Sequence, residues 1–521
     1  MNHIGVVGAG TMGAGIAQVA GQSGFTVTLF DVTTEQMEAG LSRIRHGLDH
    51  LLQRGRMSPQ EREDALSRLK LTETLVGLSQ ADLVIEAAPE VLDLKLRIFG
   101  ELDQICRPDA LLATNTSSLS VTEIGSALRD PARLAGMHFF NPVPAMKLVE
   151  VIRGARTSEE TAAALTALAV RLGKTPVQAK DTPGFIVNRV ARPFPGEALR
   201  LLGENVASVR QIDRILRLGG GFRMGPFELM DLVGMDVNFA VNRSVFEQFF
   251  GDPRFRPHPL QARMVKANLL GRKTGAGWYR YENGQAVDGP APAVYPHQPG
   301  PRPAGLTTAC VEGDEALQNL AKETGYTIVA GPEEADLVVA GHGATPPPQV
   351  RENALVLVEA SAAVVTEVAA QSRNPGMVVG YGGVPSVAER RLVELAAGVL
   401  TSPAACQAAV AFFQSLGRDV EIIHDGAGLV LPRVLACLIN EAAYALAEGV
   451  ASAADIDVAM RLGTNYPRGP LEWADALGPA VVLRILEGLE RDTGDDRYRP
   501  CPLIRRLAAA GGRFHDSFHA T

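Results

Sequence analysis

The chain lacks the features that mark secreted, membrane-spanning or nucleic-acid-binding proteins. Its five cysteines among 521 residues are scattered, odd in number and without a CxxC pair, which favours reduced thiols in a cytoplasmic protein over disulfides or a metal site. No apolar run reaches the length of a membrane span, since the stretch ALVLVEASAAVV is interrupted by Glu359. The predicted first strand begins within the first few residues, so no signal peptide is expected. A net charge of −8 gives no electrostatic case for nucleic acid or an anionic membrane.

What the chain does have lies in its first 31 residues. They predict a strand, a glycine-rich turn, a helix and a second strand ending in Asp31. Gly8, Gly10 and Gly13 have the spacing that allows a tight turn, close approach of a pyrophosphate to the helix N-terminus, and close packing of helix on strand. An acidic residue at Asp31 accepts hydrogen bonds from a ribose 2′-hydroxyl and repels a 2′-phosphate, so the sequence predicts NAD. The cofactor residues expected in this unit are Gly8, Gly10, Thr11, Met12, Gly13 and Asp31.

Strands and helices alternate through the first 180 residues, as in a doubly wound parallel sheet. A polar helical stretch is expected from about Thr34 to Leu69, a strand at ADLVIEA, a helix near Leu92 to Ile105, and strands at LLATN and RLAGMHFF. From residue 181 the hydrophobic period is helical as far as GRKTGAGWYRY. The Pro/Gly-rich stretch that follows is typical of an extended linker.

The remainder of the chain repeats the first part. At an offset of 244 residues, 21 of the 54 positions from 181 to 234 are identical, which indicates a duplication. The second copy lacks the helical insertion after the second strand, holds only Gly313 in place of the glycine-rich turn, and has Pro332 in place of Asp31. The predicted domains are a Rossmann-type parallel-sheet domain (1–180), an all-α domain (181–285), a linker (286–304), a reduced Rossmann-like domain unable to bind a dinucleotide (305–422), and a second all-α domain (423–521).

One histidine and one glutamate supply the chemistry that oxidation of an alcohol needs. His138 ends the strand LAGMHFF, at the edge where open α/β sheets place their sites, and an imidazole is a base suited to neutral pH. Glu150 lies twelve residues further on, where a carboxylate can orient the ring and stabilise its protonated form. Taken singly, His138 also fits a core residue and Glu150 a strand end. Their combination with a cofactor turn favours catalysis.

Residues 1–285 resemble the 3-hydroxyacyl-CoA dehydrogenase family. The resemblance is carried by IEAAPE, TNTSS, GMHFFNPVPAMKLVEV, DTPGFIVNR, GPFELMDLVG and GRKTGAGWY. The double-length layout is similar to that of bacterial members acting on 3-hydroxybutyryl-CoA or 3-hydroxyadipyl-CoA. The resemblance implies NAD-dependent oxidation of an (S)-3-hydroxyacyl-CoA to the 3-oxoacyl-CoA, in fatty acid or phenylacetate catabolism.

The same resemblance assigns roles to individual residues. His138 becomes the base and Glu150 its partner, while Ser117 and Asn188 bind the reacting oxygen or the thioester carbonyl. Further cofactor contacts are implied for Glu90, Lys95, Ser117, Asn141 and Lys273. Where the family has a serine and a lysine for the CoA phosphates, this chain has Gly47 and Arg54, so Arg54 is the expected phosphate contact.

The second copy serves as an internal control for these roles. At the same offset His138 falls on Gly382 and Asn188 on Pro432, whereas Glu150 falls on Glu394. One active site per chain is therefore expected, in the first half. The second helical copy is expected to dock on the first and imitate a dimer within one chain, with further homo-oligomerisation left open. Two alternatives remain open, a dehydrogenase of another hydroxy acid and a non-catalytic NAD-binding sensor.

Overall fold

A computed structural model describes residues 1–289, 299–341 and 349–516, and residues 290–298 of the predicted linker lie outside them. The first sheet region alternates strands with helices. In chain order its elements are β1 (His3–Val7), α1 (Thr11–Gln22), β2 (Thr26–Phe30), α2 (Thr34–Gln53), α3 (Pro59–Ser67), β3 (Leu69–Thr72), β4 (Leu83–Glu86), α4 (Leu92–Ile105), β5 (Leu111–Thr114), α5 (Val121–Gly125), β6 (Leu134–Phe139), β7 (Leu148–Arg153), α6 (Glu159–Arg171) and β8 (Thr175–Lys180).

These strands form one eight-stranded sheet in the order β3-β2-β1-β4-β5-β6-β7-β8. The strands from β3 to β6 are parallel, and β7 turns back antiparallel to β6 before pairing in parallel with β8. The Rossmann-type fold predicted from the sequence is confirmed. The reversal of the last two strands is an addition that strand pattern alone did not indicate.

The structure refines the predicted helical stretch from about Thr34 to Leu69 at two points. The stretch contains two helices, because α2 ends at Gln53 and Pro59 begins α3 behind a Ser58 capping box. Leu69 then starts β3, the outermost strand of the sheet. Proline at the first position of α3 has no amide hydrogen to contribute to an earlier turn, which makes a restart at this point favourable.

Short helices follow the first sheet. They are α7 (Val187–Val190), α8 (Pro193–Gly203), α9 (Val209–Arg214), α10 (Pro226–Val233), α11 (Met235–Gln248) and α12 (Pro259–Lys266), with a small hairpin of β9 (Tyr281–Glu282) and β10 (Gln285–Ala286). A π-helical turn over Ile215–Gly219 extends α9. The predicted all-α character of this region is confirmed apart from the terminal hairpin.

The second half contains a smaller sheet. Its elements are β11 (Thr308–Val311), α13 (Glu315–Glu323), β12 (Thr327–Ile328), β13 (Leu337–Ala340), β14 (Leu355–Glu359), α14 (Val365–Ala369), β15 (Val378–Tyr381), β16 (Leu392–Ala397), α15 (Pro403–Ser415) and β17 (Asp419–His424). The sheet order is β12-β11-β13-β14-β15-β16-β17, again with an antiparallel step at β15–β16. Only a 3₁₀ turn at Pro332–Glu334 lies between β12 and β13, so the loss of the helical insertion is confirmed.

The chain closes with a second group of helices. They are α16 (Leu431–Ala447), α17 (Ala453–Thr464), α18 (Pro470–Leu477), α19 (Pro479–Thr493) and α20 (Pro502–Ala510). Among the described residues no helix is both long and apolar enough to cross a bilayer.

The chain divides into two compact units that do not follow the sequence halves. The first unit holds Met1–Arg189 together with Ala445–Asn465, and the second holds Val190–Tyr444 with Tyr466–Thr521. Within the first unit, α17 from the second helical group packs on β7 and β8. Within the second unit, the π-helical turn at Ile215–Gly219 from the first helical group packs on β16. Each sheet is thus covered by a helix from the other half.

Candidate active site

The glycine-rich turn has the geometry of a phosphate cradle. Gly8 has φ +99°, a backbone conformation that other residues rarely adopt, and a Cβ on Gly13 would overlap the carbonyl oxygen of Gly8. A Cβ on Gly10, in contrast, would meet no protein atom within 4 Å. The first and third glycines are therefore required by the fold, whereas the second leaves open space where a ligand can approach the backbone.

Helix α1 offers its N-terminus to an anion. Gly10 is its N-cap, no side chain of the described residues caps its first amides, and its first turn carries no acidic residue. An uncapped N-terminus costs about 1 kcal/mol of stability relative to one capped by Ser, Asp or Asn, and its free amides and dipole attract a phosphate. The residues present fit the diphosphate of a dinucleotide.

A cavity of about 680 Å³ opens above this turn at the ends of β1, β2 and β4. Asp31 lines it, with one carboxylate oxygen accepting from the Ala9 amide at 2.6 Å and the other from Val32 at 2.7 Å. Arg43 on α2 donates to the Ala9 carbonyl at 3.2 Å and also lines the cavity. Sequence reasoning missed Arg43 because only the fold of α2 over the turn brings it there. Of the predicted cofactor residues, the cavity is lined by Gly8, Gly10, Thr11, Met12 and Asp31.

His138 and Glu150 meet across neighbouring strands. The antiparallel register of β6 and β7 places them directly opposite each other, and His138 Nδ1 lies 2.6 Å from Glu150 Oε2. Glu150 is fully buried, and its other oxygen accepts from the amides of Ile186 and Val187, each at 3.0 Å. Hydrogen bonds to an ionised group contribute about 1.5–3 kcal/mol each, so this carboxylate is held firmly.

This arrangement leaves one ring nitrogen for proton transfer. A carboxylate only accepts hydrogen bonds, so Nδ1 carries the proton and Nε2 carries the lone pair. Only 7% of the His138 side chain is exposed, and the rings of Phe140 and Phe185 are centred 4.5 and 6.0 Å away. Exclusion of water strengthens the attraction between Glu150 and a protonated ring. The pair has the geometry of a general base and its orienting carboxylate.

Ser117 and Asn188, to which the resemblance assigns substrate contacts, lie together. The Asn188 side-chain amide donates to the Ser117 carbonyl at 3.2 Å. Ser117 itself follows β5 and donates to Glu90 Oε1 through its amide at 2.8 Å and its hydroxyl at 3.3 Å. Thr116 and Ser118 donate to the same oxygen. Glu90 therefore organises the loop that presents Ser117.

Lys95 is a buried residue and not a surface cation. Only 1% of its side chain is exposed, and its ammonium lies 2.6 Å from Glu86 and 3.4 Å from Glu90. Burial raises the pKa of Glu90, but the Lys95 charge and the hydrogen bonds from Thr116, Ser117 and Ser118 outweigh it, so the pKa lies below its usual value. Contact between Lys95 and a cofactor stays a prediction, and the ion pairs indicate that Lys95 holds Glu90 in its charged form. Sequence reasoning did not single out Glu86.

The other sequence-predicted residues lie elsewhere. Lys273 belongs to the second unit, where it pairs with Asp236 at 2.6 Å, an exposed ion pair that contributes about 1 kcal/mol or less. Asn141 is exposed just beyond β6, and Arg54 is exposed at the end of α2. A Cβ on Gly47 would overlap the Gln18 side chain, so a larger residue there requires Gln18 to move. The roles of these residues stay predictions.

Family models and known proteins identify the relatives of this chain. The model described as the NAD binding domain of 3-hydroxyacyl-CoA dehydrogenase matches residues 3–182. The model described as the C-terminal domain of the same enzyme matches twice, at 184–281 and 428–515. The double match agrees with the duplication seen in the sequence.

Two of the similar proteins match nearly the whole chain, and a third matches about half of it. A 3-hydroxyadipyl-CoA dehydrogenase from Escherichia coli K12 is 40% identical over 506 residues, which span 97% of each chain. A crystal structure of a 3-hydroxybutyryl-CoA dehydrogenase from E. coli K12 superposes with a TM-score of 0.83 and 38% identity, covering 98% of both chains. A probable 3-hydroxybutyryl-CoA dehydrogenase from Bacillus subtilis is 45% identical over 282 residues, or 54% of this chain and 98% of its own length.

Proposed function

Because the chain belongs to the 3-hydroxyacyl-CoA dehydrogenase family, we propose that His138 takes the 3-hydroxyl proton of an (S)-3-hydroxyacyl-CoA in an NAD-dependent oxidation to the 3-oxoacyl-CoA. The hydrogen bond between His138 and Glu150 carries this proposal. It fixes the tautomer that has a basic Nε2 and places a buried negative charge where the ring becomes positive. The Gly8–Gly13 turn and the N-terminus of α1 would hold NAD, which would supply the acceptor for the hydride from C3.

The remaining residues bind and orient. Ser117 and Asn188 are proposed to hold the thioester carbonyl or the reacting oxygen, with Glu90 and Lys95 fixing the loop behind Ser117. Gly10 and the free amides of α1 are proposed to receive the diphosphate, and Asp31 the adenosine ribose. Arg54 is proposed to pair with a CoA phosphate because its exposed guanidinium is a good phosphate ligand.

For the acyl group, we propose 3-hydroxybutyryl-CoA or 3-hydroxyadipyl-CoA, the compounds in the names of the two full-length relatives. The test is NADH formation with these two thioesters and with a free 3-hydroxy acid. Turnover of a thioester supports the proposal, and the ratio of kcat/KM values identifies the acyl group. Turnover of the free acid alone indicates another hydroxy-acid dehydrogenase, and NAD binding without turnover of any of the three indicates a sensor.

We also propose that the two halves pair as an internal pseudo-dimer. Contacts between the halves occur in equivalent sets, as an isologous interface requires. The Lys180 amide donates to the Val450 carbonyl at 2.8 Å, and the equivalent residue His424 donates to Val206 at 2.9 Å.

Ion pairs repeat the same pattern. Arg189 pairs with Glu448 at 2.7 Å, and the equivalent Arg433 pairs with Glu204 at 2.6 Å. These four residues keep the offset of 244. A 1–290 fragment is therefore expected to associate with a second copy or to lose stability, and a stable, fully active monomeric fragment would contradict the pseudo-dimer. A cytoplasmic location is proposed from the five free cysteines.

A further inference from the structure

The half without a catalytic histidine contributes a segment that packs behind the catalytic carboxylate. Residues 445–465 belong to the same compact unit as the first sheet. Within this unit, Val450 receives the hydrogen bond from the Lys180 amide at the end of β8. Helix α17, which begins at Ala453 within this segment, also packs on β7 and β8. The segment is therefore attached along the strand next to the one that carries Glu150.

At Gly463, α17 contacts both the strand that carries Glu150 and the residue whose amide donates to its carboxylate. A Cβ at Gly463 would lie 2.9 Å from Leu148 and 2.9 Å from Val187. Leu148 precedes Glu150 by two positions on β7. Val187 donates its amide to Glu150. The helix thus packs against the strand that carries the carboxylate and against the turn that holds it.

An ion pair ties the same segment to the neighbour of Asn188. Arg189 is completely buried and pairs with Glu448, whose side chain is 42% exposed. Arg189 follows Asn188 directly in sequence, and both belong to α7, which has four residues. A helix this short has little intrinsic stability and depends on tertiary contacts. Loss of the Glu448 charge removes an ion pair from a completely buried guanidinium, which is expected to shift α7.

We propose that residues 445–465 are a positioning element for Glu150 and Asn188, so that the catalytically reduced half completes the active site of the other half. The inference rests on the proposed function of these two residues. It gives the second half a role in the reaction although it holds none of the reacting groups.

The duplication provides a matched control for testing this role. Glu448→Gln removes the charge opposite Arg189, and Glu204→Gln removes the equivalent charge opposite Arg433. The two ion pairs are similar in length, and the glutamates are similarly exposed, at 42% and 44%. Arg433 keeps additional hydrogen bonds to Glu197 and Tyr498. Both full-length variants are assayed for kcat, for KM of NAD and the thioester, and for melting temperature.

Glu448→Gln is expected to lower kcat about 3- to 10-fold with the KM for NAD unchanged, whereas Glu204→Gln keeps kcat within about 1.5-fold. Glu448→Asp, which keeps the charge, is expected to recover most of the loss. A wild-type kcat in Glu448→Gln overturns the proposal. Equal losses of kcat in the two glutamine variants also overturn it, because general destabilisation then explains both.

A second pair keeps the test decisive if Glu448→Gln does not fold. Gly463→Ala presses on Leu148 and Val187, while Gly219→Ala, at the equivalent place in the second unit, meets its nearest neighbours at 3.3–3.4 Å. The same kcat criteria apply to this pair. The low-field proton resonance of the His138–Glu150 hydrogen bond supplies a readout without turnover. This resonance is expected to shift in Gly463→Ala and not in Gly219→Ala. An inactive wild type would refute the proposed function, but the resonance would still test the positioning inference.

Discussion

Glu150 and Glu394 occupy equivalent positions in the two sheets and differ in what lies opposite them. Each accepts hydrogen bonds from two consecutive backbone amides at the start of the next helical region, Glu394 from Val430 at 2.7 Å and Leu431 at 3.0 Å. Opposite Glu150 stands His138, whereas opposite Glu394 stands Gly382. A buried carboxylate that joins a strand to a helix start is therefore part of the framework, and the proposed catalytic pair arises where an imidazole is added to it.

The helices that follow the first strand of each sheet show the same contrast. Helix α1 begins at Gly10 with its amides open, whereas α13 begins at Asp314, whose carboxylate accepts from the Leu317 amide at 2.9 Å. Glu315 adds a second acidic residue in the first turn of α13. The second sheet satisfies its helix end with its own charge, which stabilises the helix by about 1 kcal/mol and repels a phosphate.

Removal of the His138 imidazole, which only the first sheet has, is expected to have the largest effect on activity. His138→Ala should lower kcat by about 10²–10⁴ because it removes the proposed general base, and it should leave NAD affinity nearly unchanged. Stopped-flow or steady-state NADH formation and a calorimetric NAD titration measure the two quantities. A kcat near that of the wild type would remove His138 from the mechanism.

Filling the open space at the turn is expected to have the next largest effect. Gly10→Ala places a methyl group where the protein has no atom, so the fold should tolerate it while NAD binding weakens about 10- to 100-fold. Gly100→Ala on α4, which also meets no atom within 4 Å, is the control and should leave NAD affinity unchanged while raising stability by about 1 kcal/mol, because alanine favours a helix interior over glycine. Equal NAD affinity in the two variants would show that the diphosphate does not lie at Gly10.

Neutralising the acidic residue above the turn is expected to change cofactor preference. Asp31→Asn keeps an oxygen that can accept from the Ala9 amide and removes the charge that repels a 2′-phosphate. The ratio of kcat/KM for NAD to that for NADP should fall about 10-fold. An unchanged ratio would mean that the charge of Asp31 does not set the preference.

The smallest expected effect is on the pH dependence of stability and concerns Glu394, the carboxylate that has no imidazole opposite it. Burial raises the pKa of Glu394 to about 7, from an ordinary value of 4.5. The folded state then binds the proton more tightly than the unfolded state, so stability from this group is present at pH 4.5 and is lost as pH rises to 7 and above. Melting temperatures at pH 5.5 and 8.0 should differ less in Glu394→Gln than in the wild type, with kcat unchanged. A pH dependence identical in both proteins would contradict the raised pKa.

Local spacing explains what the sequence could predict. The turn at Gly8–Gly13 and the acidic end of β2 lie within one strand–helix–strand unit, so their geometry follows from near neighbours. The pairing of His138 with Glu150 also follows from a short connection, since eight residues join β6 to β7 and bring the two side chains into register.

Long-range packing explains what the sequence could not predict. The burial of Lys95 depends on α4 lying over the end of β4, where Glu86 is its partner, and Arg43 reaches the turn only because α2 crosses it. The sequence also could not predict that each sheet packs against helices from the other half of the chain. Because the two helical copies share one hydrophobic pattern, that pattern does not say which sheet each copy covers.

Joining both halves in one polypeptide affects how the enzyme responds to dilution. Contacts such as Arg189–Glu448 and Arg433–Glu204 would weaken in a dimer of separate chains as the subunits dissociate. In this chain the two partners of each contact are tethered, with an effective local concentration on the order of millimolar whatever the amount of protein in solution. Turnover per molecule should accordingly stay constant down to the lowest enzyme concentration at which product formation can be followed.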